Sequence, residues 1–292
     1  MSLNHAQAEA VAHKEGPCMV LAGPGSGKTL TIAKRIEYLI RKYKVRPEEI
    51  LVITFTKYAA WEMKNRTRSI CGPSSYAVTF GTFHGIYYGI LKWAYRLNQS
   101  NLLSDEEKYR ILREILPGID WDQEPEADEE KDYLQELAIE IGNVKNNCMD
   151  IEEYEPVKYT TEKFRKLYRT YEETKKKYRK IDFEDMLIQC RDLFMKRPDI
   201  LKKWQEKFQY ILVDEFQDVN QAQYDVVRML AAPQDNLFVV GDDDQSVYGF
   251  RGADTKLMLG FPNEFPGTRL VYLNTNYRCS SAIVESACRI IK

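Results

Sequence analysis

The sequence predicts an α/β fold in which helices cover both faces of a parallel sheet and an all-helical segment interrupts it. Two observations indicate the sheet: short apolar runs recur along the chain, and loops rich in glycine or acidic residues follow them. Brief, continuous apolar runs suit parallel strands that are buried on both faces. The third observation is that the alternation of strands and helices stops between residues 90 and 191, where the pattern is almost entirely helical.

The composition is typical of a soluble globular protein, with 292 residues of which 44% are hydrophobic and 29% are charged. No apolar run approaches the roughly 18 residues of a membrane span, and the polar start Met1–His5 lacks the apolar core of a secretion signal. These features predict a cytoplasmic protein without a membrane partner. Six scattered cysteines and three histidines argue against a zinc or iron–sulfur site and against a disulfide framework. The net charge of −2 gives no indication of a nucleic-acid partner, so that question rests on local features.

The stretch Ala22-Gly23-Pro24-Gly25-Ser26-Gly27-Lys28-Thr29 lies between the apolar run Met19–Leu21 and a helix predicted from about Lys28 to Tyr43. Glycines let the backbone wrap closely around a phosphate, and the N–H groups at the start of a helix favour an anion. We therefore predict that this loop binds ATP phosphates, that Lys28 reaches the β- and γ-phosphates, and that Thr29 ligates Mg²⁺. A flexible turn is the alternative, which the ending Gly-Lys-Thr before a periodic helix disfavours.

Two more predicted strands, Ile50–Phe55 and Tyr76–Phe80, precede the helical segment. Within that segment, residues 120–132 form an acidic stretch with a proline, for which we predict an exposed loop. The run 163–180 is basic, with aromatic residues at helical spacing. We predict that its rings pack as one stripe and that its lysines form a solvated face. Contact of this run with nucleic acid stays open as the alternative.

The strand pattern returns with Tyr210–Val213, Leu237–Val240 and Thr268–Leu273. The first of these strands ends in Asp214 and Glu215. Because ligands bind outside the carboxyl ends of parallel strands, we predict that Asp214 holds Mg²⁺ and that Glu215 polarises the water that attacks the γ-phosphate. An ordinary acidic turn is the alternative.

Two glutamine side chains can serve either structure or ligand binding, because an amide both donates and accepts hydrogen bonds. Gln7 lies three residues after Asn4, as the partner of an N-cap does in a capping box, but it could also pair with the edge of an adenine. Gln245 lies just past a predicted strand end, where it could contact the γ-phosphate or its water. The residues alone leave both interpretations of Gln7 open, whereas Gln245 alone indicates little, because most glutamines in loops are solvated.

At these positions the sequence resembles the UvrD/PcrA/Rep family of superfamily 1 DNA helicases, and the likeness runs in order from end to end. The family's motifs are matched by Leu3–Gln7, Ala22–Thr29, Thr54–Ala60, Gly81–His84, Asp214–Asp218, Val240–Ala253 and Leu273–Arg278, and Ile181–Leu187 is similar to the stretch where the chain leaves the insertion. The resemblance implies a RecA-like P-loop NTPase domain with an all-helical insertion subdomain.

The resemblance also implies roles for single residues. Gln7 and the ring of Tyr277 would hold adenine, while Arg278 would contact the γ-phosphate. Gln245 would couple that phosphate to DNA. The catalytic residues would then be Lys28, Glu215, Gln245 and Arg278. A track for single-stranded DNA would be lined by Phe55, Thr56, Thr82, His84, Phe250 and Arg251, where stacking is worth about 1–3 kcal/mol per base.

The implied activity is that of an ATP-dependent 3′–5′ DNA helicase, a monomer or weak dimer that uses ATP and Mg²⁺ on single-stranded DNA and at junctions with duplex. One alternative is a subunit of a helicase–nuclease. Others are a nucleotide-dependent DNA-binding module that does not translocate and an unrelated kinase-type P-loop enzyme. The Gln245 loop and the pair Tyr277-Arg278 disfavour the kinase alternative.

The resemblance divides the chain into residues 1–89 and 191–280, which form the RecA-like ATP-binding domain, and residues 90–190, which form the insertion. Residues 281–292 would begin a truncated second RecA-like domain. The chain ends inside a predicted helix without a stop signal, so we expect an N-terminal fragment of a longer helicase, weakly active alone. Its departures from the family pattern, at Leu30, Lys57-Tyr58 and Phe250, bear on DNA affinity more than on ATP binding.

Overall fold

The computed structural model describes residues 3–119, 129–246, 249 and 252–291, and within them it confirms the predicted α/β fold. The strands are β1 (Cys18–Ala22), β2 (Ile50–Thr54), β3 (Thr79–Thr82), β4 (Tyr210–Val213), β5 (Leu237–Gly241) and β6 (Arg269–Leu273). The helices are α1 (His5–Ala12), α2 (Lys28–Arg41), α3 (Lys57–Cys71), α4 (Phe83–Tyr95), α5 (Asp105–Ile115), α6 (Glu130–Asn146), α7 (Thr161–Tyr178), α8 (Phe183–Lys196), α9 (Pro198–Lys207), α10 (Gln221–Ala231), α11 (Thr255–Glu264) and α12 (Ser281–Ile291). No helix in the described ranges has both the length and the apolar character that crossing a membrane requires.

The described strands form one parallel sheet in the order β3-β2-β4-β5-β1-β6. Because the strands are parallel, their carboxyl ends lie along one edge of the sheet. The strands that carry the glycine-rich loop and the acidic pair, β1 and β4, are separated only by β5. On its other side β4 pairs with β2, which leads to Phe55. This order brings the predicted nucleotide residues and the start of the predicted DNA track to the same edge.

Side chains along each strand alternate between two apolar layers. Val20, Val52 and Val240 pack with α1, α2 and α3, whereas Ile53 and Val213 pack with α4, α8 and α10. Both faces of the central strands are therefore covered. This explains why their sequences read as continuous apolar runs instead of alternating apolar and polar residues.

The strand predicted over Tyr76–Phe80 is wrong at its start, because β3 pairs with β2 only from Thr79 onward. A 3₁₀ turn over Gly72–Ser75 is continued by two backbone hydrogen bonds, whose donors are the N–H groups of Tyr76 and Val78. This turn therefore occupies the first residues of the apolar stretch for which the sequence predicts a strand.

Helices α5, α6 and α7 have an apolar core of their own, which includes Leu112, Leu137, Ile141 and Leu167. Helix α8, which follows them, packs with α4 and α10 in the α/β core. In its described residues the interrupting segment is thus helical, as predicted, with a separate hydrophobic centre. Most of the exposed loop predicted over residues 120–132 lies outside the described residues, and residues 130–132 belong to α6. The residue boundaries of the domain scheme stay a prediction.

A buried ion cluster, made of Lys145, Glu172, Lys175, Asp182 and Asp185, joins α6 and α7 to the start of α8. The Lys145 Nζ lies 2.7–2.8 Å from an oxygen of each of the three carboxylates. The Lys175 Nζ lies 2.5–2.8 Å from the same three groups. Each lysine therefore has three carboxylate partners where a solvated lysine would have water.

This cluster corrects part of the interpretation of the run 163–180. Phe164 and Tyr171 are buried, as a packed aromatic stripe predicts, and Tyr178 is exposed at the end of α7. Lys175, however, is only 1% exposed. Its solvated position was predicted wrongly, because carboxylates from α7 and α8 hold it inside, and it is not available to nucleic acid.

Candidate nucleotide site and the adjoining cleft

The glycine-rich loop lies at the end of β1 and leads directly into α2. Gly25 and Gly27 have φ values of +68° and +89°, a region that residues with a Cβ rarely adopt. A Cβ on Gly25 would lie 2.7 Å from Asn276 Oδ1, and one on Gly27 would lie 2.8 Å from Gln7 Nε2. The loop is therefore enclosed between two other segments of the chain, and glycine is required at both positions.

The loop presents the N-terminus of α2 to the carboxyl edge of the sheet. Among the residues that the structure describes, no side chain caps this helix and no acidic residue lies in its first turn. The N–H groups there carry the positive end of the helix dipole, and Lys28 adds a full positive charge. This arrangement suits an anionic ligand such as phosphate.

Lys28 and Glu215, which belong to separate motifs, lie together at this edge. The Lys28 Nζ is 2.9 Å from Glu215 Oε2, and the two side chains are 12% and 37% exposed. A ligand can therefore reach the pair. Glu215 also has a φ of +51°, a left-handed conformation that costs a non-glycine residue on the order of 1–3 kcal/mol.

Asp214 precedes Glu215 at the end of β4. Its carboxylate is buried, and its Oδ1 has no hydrogen-bond partner within the described residues. Burial, together with the neighbouring Glu215 carboxylate, raises the pKa of Asp214 to about 7, against the opposing effect of Lys28. A buried carboxylate oxygen without a partner is costly, and a divalent cation would satisfy it. The oxygen therefore fits the expected Mg²⁺ site, for which the half-buried Thr29 in the first turn of α2 is the second expected ligand.

Gln217 connects this site to the next strand, a role that the sequence did not indicate. Its buried amide donates to Glu215 Oε2 at 2.9 Å and accepts from the backbone N–H of Asp242 at 3.0 Å. The Asp242 carboxylate in turn accepts a hydrogen bond from Gln245. Contacts therefore run without a gap from Lys28 to Gln245. A contact between Gln245 and a γ-phosphate stays a prediction.

The segment after β6 crosses the glycine-rich loop. Asn276 Nδ2 donates to the Pro24 carbonyl at 2.7 Å, and the backbone N–H of Tyr277 donates to the Gly25 carbonyl at 2.9 Å. Arg278 is exposed, with its Cβ against Gly25. The structure thus places the predicted residues Tyr277 and Arg278 beside the loop and adds Asn276, which was not predicted.

Gln7 lies on the other side of the loop, where its capping box is confirmed. The Asn4 side chain accepts from the Gln7 N–H at 2.8 Å, and Gln7 Oε1 accepts from the Asn4 N–H at 3.1 Å. Gln7 Nε2 also donates to the Ser26 carbonyl at 2.9 Å, so the amide holds the loop in place. Asn4 Nδ2 donates to the Tyr277 hydroxyl at 2.8 Å. Gln7 and Tyr277 are thereby linked, and their contact with adenine stays a prediction.

A cleft of about 460 Å³ opens between the insertion and the α/β part of the chain. Phe55 and His84 line it, together with Phe183 at the start of α8, and α5 and α6 supply Tyr109 and Ile139. The Phe183 ring meets the His84 ring edge to face, with 5.7 Å between centroids. Two predicted DNA residues are therefore brought together with a third ring, Phe183, that the motifs did not assign.

The two predicted threonines have a local structural role. Their hydroxyls cap α3 and α4: Thr56 accepts from the Ala59 N–H and Thr82 from the Gly85 N–H, both at 3.1 Å. A contact of either residue with DNA stays a prediction. Phe250 and Arg251 lie outside the described residues.

Known sequences identify the family. The family model for the UvrD/REP helicase N-terminal domain matches residues 3–266. This chain belongs to the UvrD/REP helicase family. Similar curated proteins are the putative ATP-dependent DNA helicase YjcD of Bacillus subtilis (strain 168), 39% identical, and the ATP-dependent DNA helicases PcrA of the same strain and of Staphylococcus aureus (strain Mu50), 37% and 35% identical. These alignments cover 99–100% of this chain, which spans 38–40% of the length of the relatives.

Proposed function

We propose that this chain is the ATP-binding part of an ATP-dependent DNA helicase that couples ATP hydrolysis to movement on single-stranded DNA. The observation that carries the proposal is the pair Lys28–Glu215, 2.9 Å apart, beside the unpartnered buried oxygen of Asp214. A phosphate-binding lysine, a carboxylate able to orient water and a candidate metal ligand thereby meet at one sheet edge. The relatives, which are named ATP-dependent DNA helicases, support the same activity.

The first step is an exchange of partners at Lys28. A partly exposed ion pair contributes only about 0–1 kcal/mol, whereas ATP brings several phosphate charges to the same ammonium group and to the N-terminus of α2. The phosphates therefore displace Glu215 from Lys28. The released carboxylate, still held by Gln217, orients the attacking water. Arg278 contacts the γ-phosphate from the segment that crosses the loop.

Asp214 and Thr29 are the residues that would hold Mg²⁺. When bound, the ion supplies positive charge against the β- and γ-phosphate oxygens. Asp214 must be ionised to serve as a ligand, and its raised pKa of about 7 places this ionisation near neutral pH. Adenine is assigned to Gln7 and Tyr277, on the side of the loop where Asn4 links them.

The cleft is assigned to single-stranded DNA because the rings that line it offer faces and edges to unpaired bases. Stacking on an aromatic side chain is worth about 1–3 kcal/mol per base and needs no particular sequence. The nucleotide site and the cleft share a rigid support, since β4 and β2 pair directly, with Val213 opposite Ile53. Gln217 and Gln245 connect Glu215 to the end of the next strand. A change of contacts at the γ-phosphate can therefore alter the contacts along this edge of the sheet.

We further propose 3′–5′ movement, action at junctions of single-stranded and duplex DNA, a monomer or weak dimer, and a cytoplasmic location. A DNA helicase needs a means to separate strands as well as a strand-stimulated ATPase. Displacement of a labelled strand from duplexes with a 3′ tail or a 5′ tail measures both the direction and the coupling.

The deciding experiment is ATP hydrolysis by the protein at the full length that its gene encodes, with and without single-stranded DNA. We expect stimulation of the wild type by DNA and loss of hydrolysis in Glu215→Gln. Glu206→Gln, at an exposed position on α9, is the matched control and should behave like the wild type. Hydrolysis that DNA does not change would contradict the proposal. Stimulation of hydrolysis by DNA without strand displacement would indicate a DNA-binding module that does not translocate.

A further inference from the structure

The first two turns of α3 carry two large aromatic side chains that are exposed to solvent. Tyr58 is 70% exposed and Trp61 is 59% exposed. Their ring centroids are 5.9 Å apart, with 33° between the ring planes. Residues three positions apart lie on the same side of a helix, so the two rings form one surface. The proposed mechanism leaves both side chains unused.

The same helix is strongly basic. Its basic residues are Lys57, Lys64, Arg66 and Arg68, and its only acidic residue is Glu62. Glu62 is itself neutralised in part by Arg66, whose Nη2 lies 3.6 Å from the carboxylate. A helix with this excess of positive charge attracts a polyanion.

The aromatic and basic groups continue along the helix. Ten residues after Tyr58, or about 15 Å along the axis, the guanidinium of Arg68 lies 4.9 Å from the centroid of the Tyr76 ring. Tyr76 is 61% exposed. We call the surface made by Tyr58, Trp61, Arg68 and Tyr76 the α3 face. Stacking groups interleaved with cations are what a single-stranded nucleic acid requires along its path.

The α3 face follows the cleft directly in the chain. Phe55, which lines the cleft, is followed by Thr56, whose hydroxyl caps α3. Tyr58 is the second residue of that helix. The first ring of the α3 face therefore lies only three residues along the chain from a residue that lines the cleft.

We propose that the α3 face extends the binding site for single-stranded DNA beyond the cleft, with bases stacked on Tyr58 and Trp61 and phosphates beside the basic side chains. This inference rests on the proposed function. The excess of basic side chains on α3 favours a polyanionic DNA strand over a protein as the partner of this face. Contacts of bases with rings release few counterions, so these two side chains should add affinity that salt does not weaken.

The test is binding of a fluorescein-labelled sixteen-nucleotide oligothymidine to the full-length protein, followed by anisotropy at several salt concentrations. The variant carries Tyr58→Ala and Trp61→Ala together. Since each stacked base is worth about 1–3 kcal/mol, we expect affinity to fall at least about tenfold. The slope of log affinity against log salt should stay unchanged, because no phosphate contact is removed.

The matched control is Trp93→Ala on α4. Trp93 is also exposed, at 52%, and its ring has an aromatic neighbour, Trp204, at 6.0 Å, but it lies three turns away from the start of its helix. This variant should bind the strand as the wild type does. All replaced side chains are exposed, so thermal melting should show that the variants fold normally.

A second strand of the same length that lacks bases separates stacking from charge. The double variant and the wild type should bind it equally, because it has no rings to stack. Wild-type affinity of the double variant for oligothymidine would overturn the inference alone, and would point to a protein partner for the α3 face. An equal loss of affinity for both strands would also overturn it. Failure of the wild type to bind either strand would overturn the proposed function as well.

Discussion

Two groups of carboxylates in this protein have similar composition and opposite surroundings. In the buried ion cluster, oxygens of Glu172, Asp182 and Asp185 lie within 4.8 Å of one another, as metal ligands do, but the ammonium groups of two lysines already lie among them. At the sheet edge, Glu215 pairs with Lys28, whereas an Asp214 oxygen has no hydrogen-bond partner in the described part of the chain.

The difference teaches that direct pairing with lysine distinguishes a structural cluster from a ligand site, because each carboxylate of the buried cluster contacts both lysines, whereas Lys28 pairs with Glu215. Burial alone would raise the pKa of Asp182, but Lys145 and Lys175 hold it well below its ordinary value. Burial does raise the pKa of Asp214, to about 7, because Lys28 compensates only in part. In the buried ion cluster every carboxylate is paired with lysine, so the cluster fixes one arrangement of helices. At the sheet edge the unpaired Asp214 oxygen can still bind a cation, and Lys28 can bind phosphate.

The largest effect on stability is expected inside the buried ion cluster. Lys145→Met leaves three carboxylates with one lysine, and breaking a buried pair in this way costs about 3–5 kcal/mol. Urea denaturation measures the loss. Lys158→Met is the matched control in the same insertion, since Lys158 and Glu136 pair at 2.8 Å but are 61% and 49% exposed, and it should cost less than about 1 kcal/mol. Equal losses in the two variants would show that burial does not distinguish the pairs.

At the sheet edge we expect the opposite result, a large loss of activity with little loss of stability. Lys28→Met removes charge that stabilises the transferred phosphoryl group, so kcat for ATP should fall about 10²–10³-fold. Its free energy of unfolding should change by less than about 1 kcal/mol, because the pair with Glu215 is partly exposed. Steady-state hydrolysis and urea denaturation of one preparation measure both quantities. A large loss of stability with normal hydrolysis would reverse the assignment of the two regions.

A smaller effect, and a dependence on pH, are expected at Asp214. Its pKa of about 7 lies above the ordinary value of 3.8, so between these values the folded state binds a proton that the unfolded state has lost. Stability from this group is therefore greatest at low pH and falls as pH rises to about 7. Asp214→Asn removes the free-energy cost of ionising this buried carboxyl. At pH 8 without Mg²⁺ the substitution should therefore stabilise the protein by on the order of 2–4 kcal/mol.

Denaturation curves at pH 5.5 and pH 8 test this prediction. The gain in free energy of unfolding from Asp214→Asn should be smaller at the lower pH, where the wild-type carboxyl is protonated. Mg²⁺ should stabilise the wild type more at pH 8 than at pH 5.5 and should have no comparable effect on the variant. An advantage that does not depend on pH would mean that the carboxyl is ionised throughout.

The smallest effect is expected when both charges of a pair are removed together. Lys108 and Glu184 lie 3.1 Å apart at the margin of the insertion, with side chains 9% and 22% exposed. Replacing a buried pair by apolar groups is often neutral, so Lys108→Met with Glu184→Met should change stability by less than about 1 kcal/mol. Lys108→Met alone should cost more. If the double variant lost as much as the single one, the ion pair itself would be a main source of stability.

Much of the fold could be predicted because its signals are local. The buried strands are continuous apolar runs, and the glycine-rich loop needs no partner to be recognised. The start of β3 could not be predicted, because the turn that begins at Gly72–Ser75 continues through Tyr76–Val78, whose apolar sequence resembles a strand. Pairing with β2, a long-range contact, decides where that strand begins.

The candidate site could be predicted only as far as its motif residues. Gln217 and Asn276 lie inside matched motifs, but their partners, Asp242 and Pro24, follow other strands, and no local pattern reveals such contacts. The burial of Lys175 was equally hidden, since a lysine at helical spacing has the same sequence signature whether it meets water or carboxylates. The roles of single residues in binding ATP and DNA stay predictions for the experiments above.

The two hydrogen bonds from the segment after β6 to the glycine-rich loop have a mechanical consequence. They attach the loop to the five residues that lead into α12, an 11-residue helix about 16 Å long. A movement of the loop at Gly25 when phosphate binds would therefore be transmitted through these bonds to the start of α12.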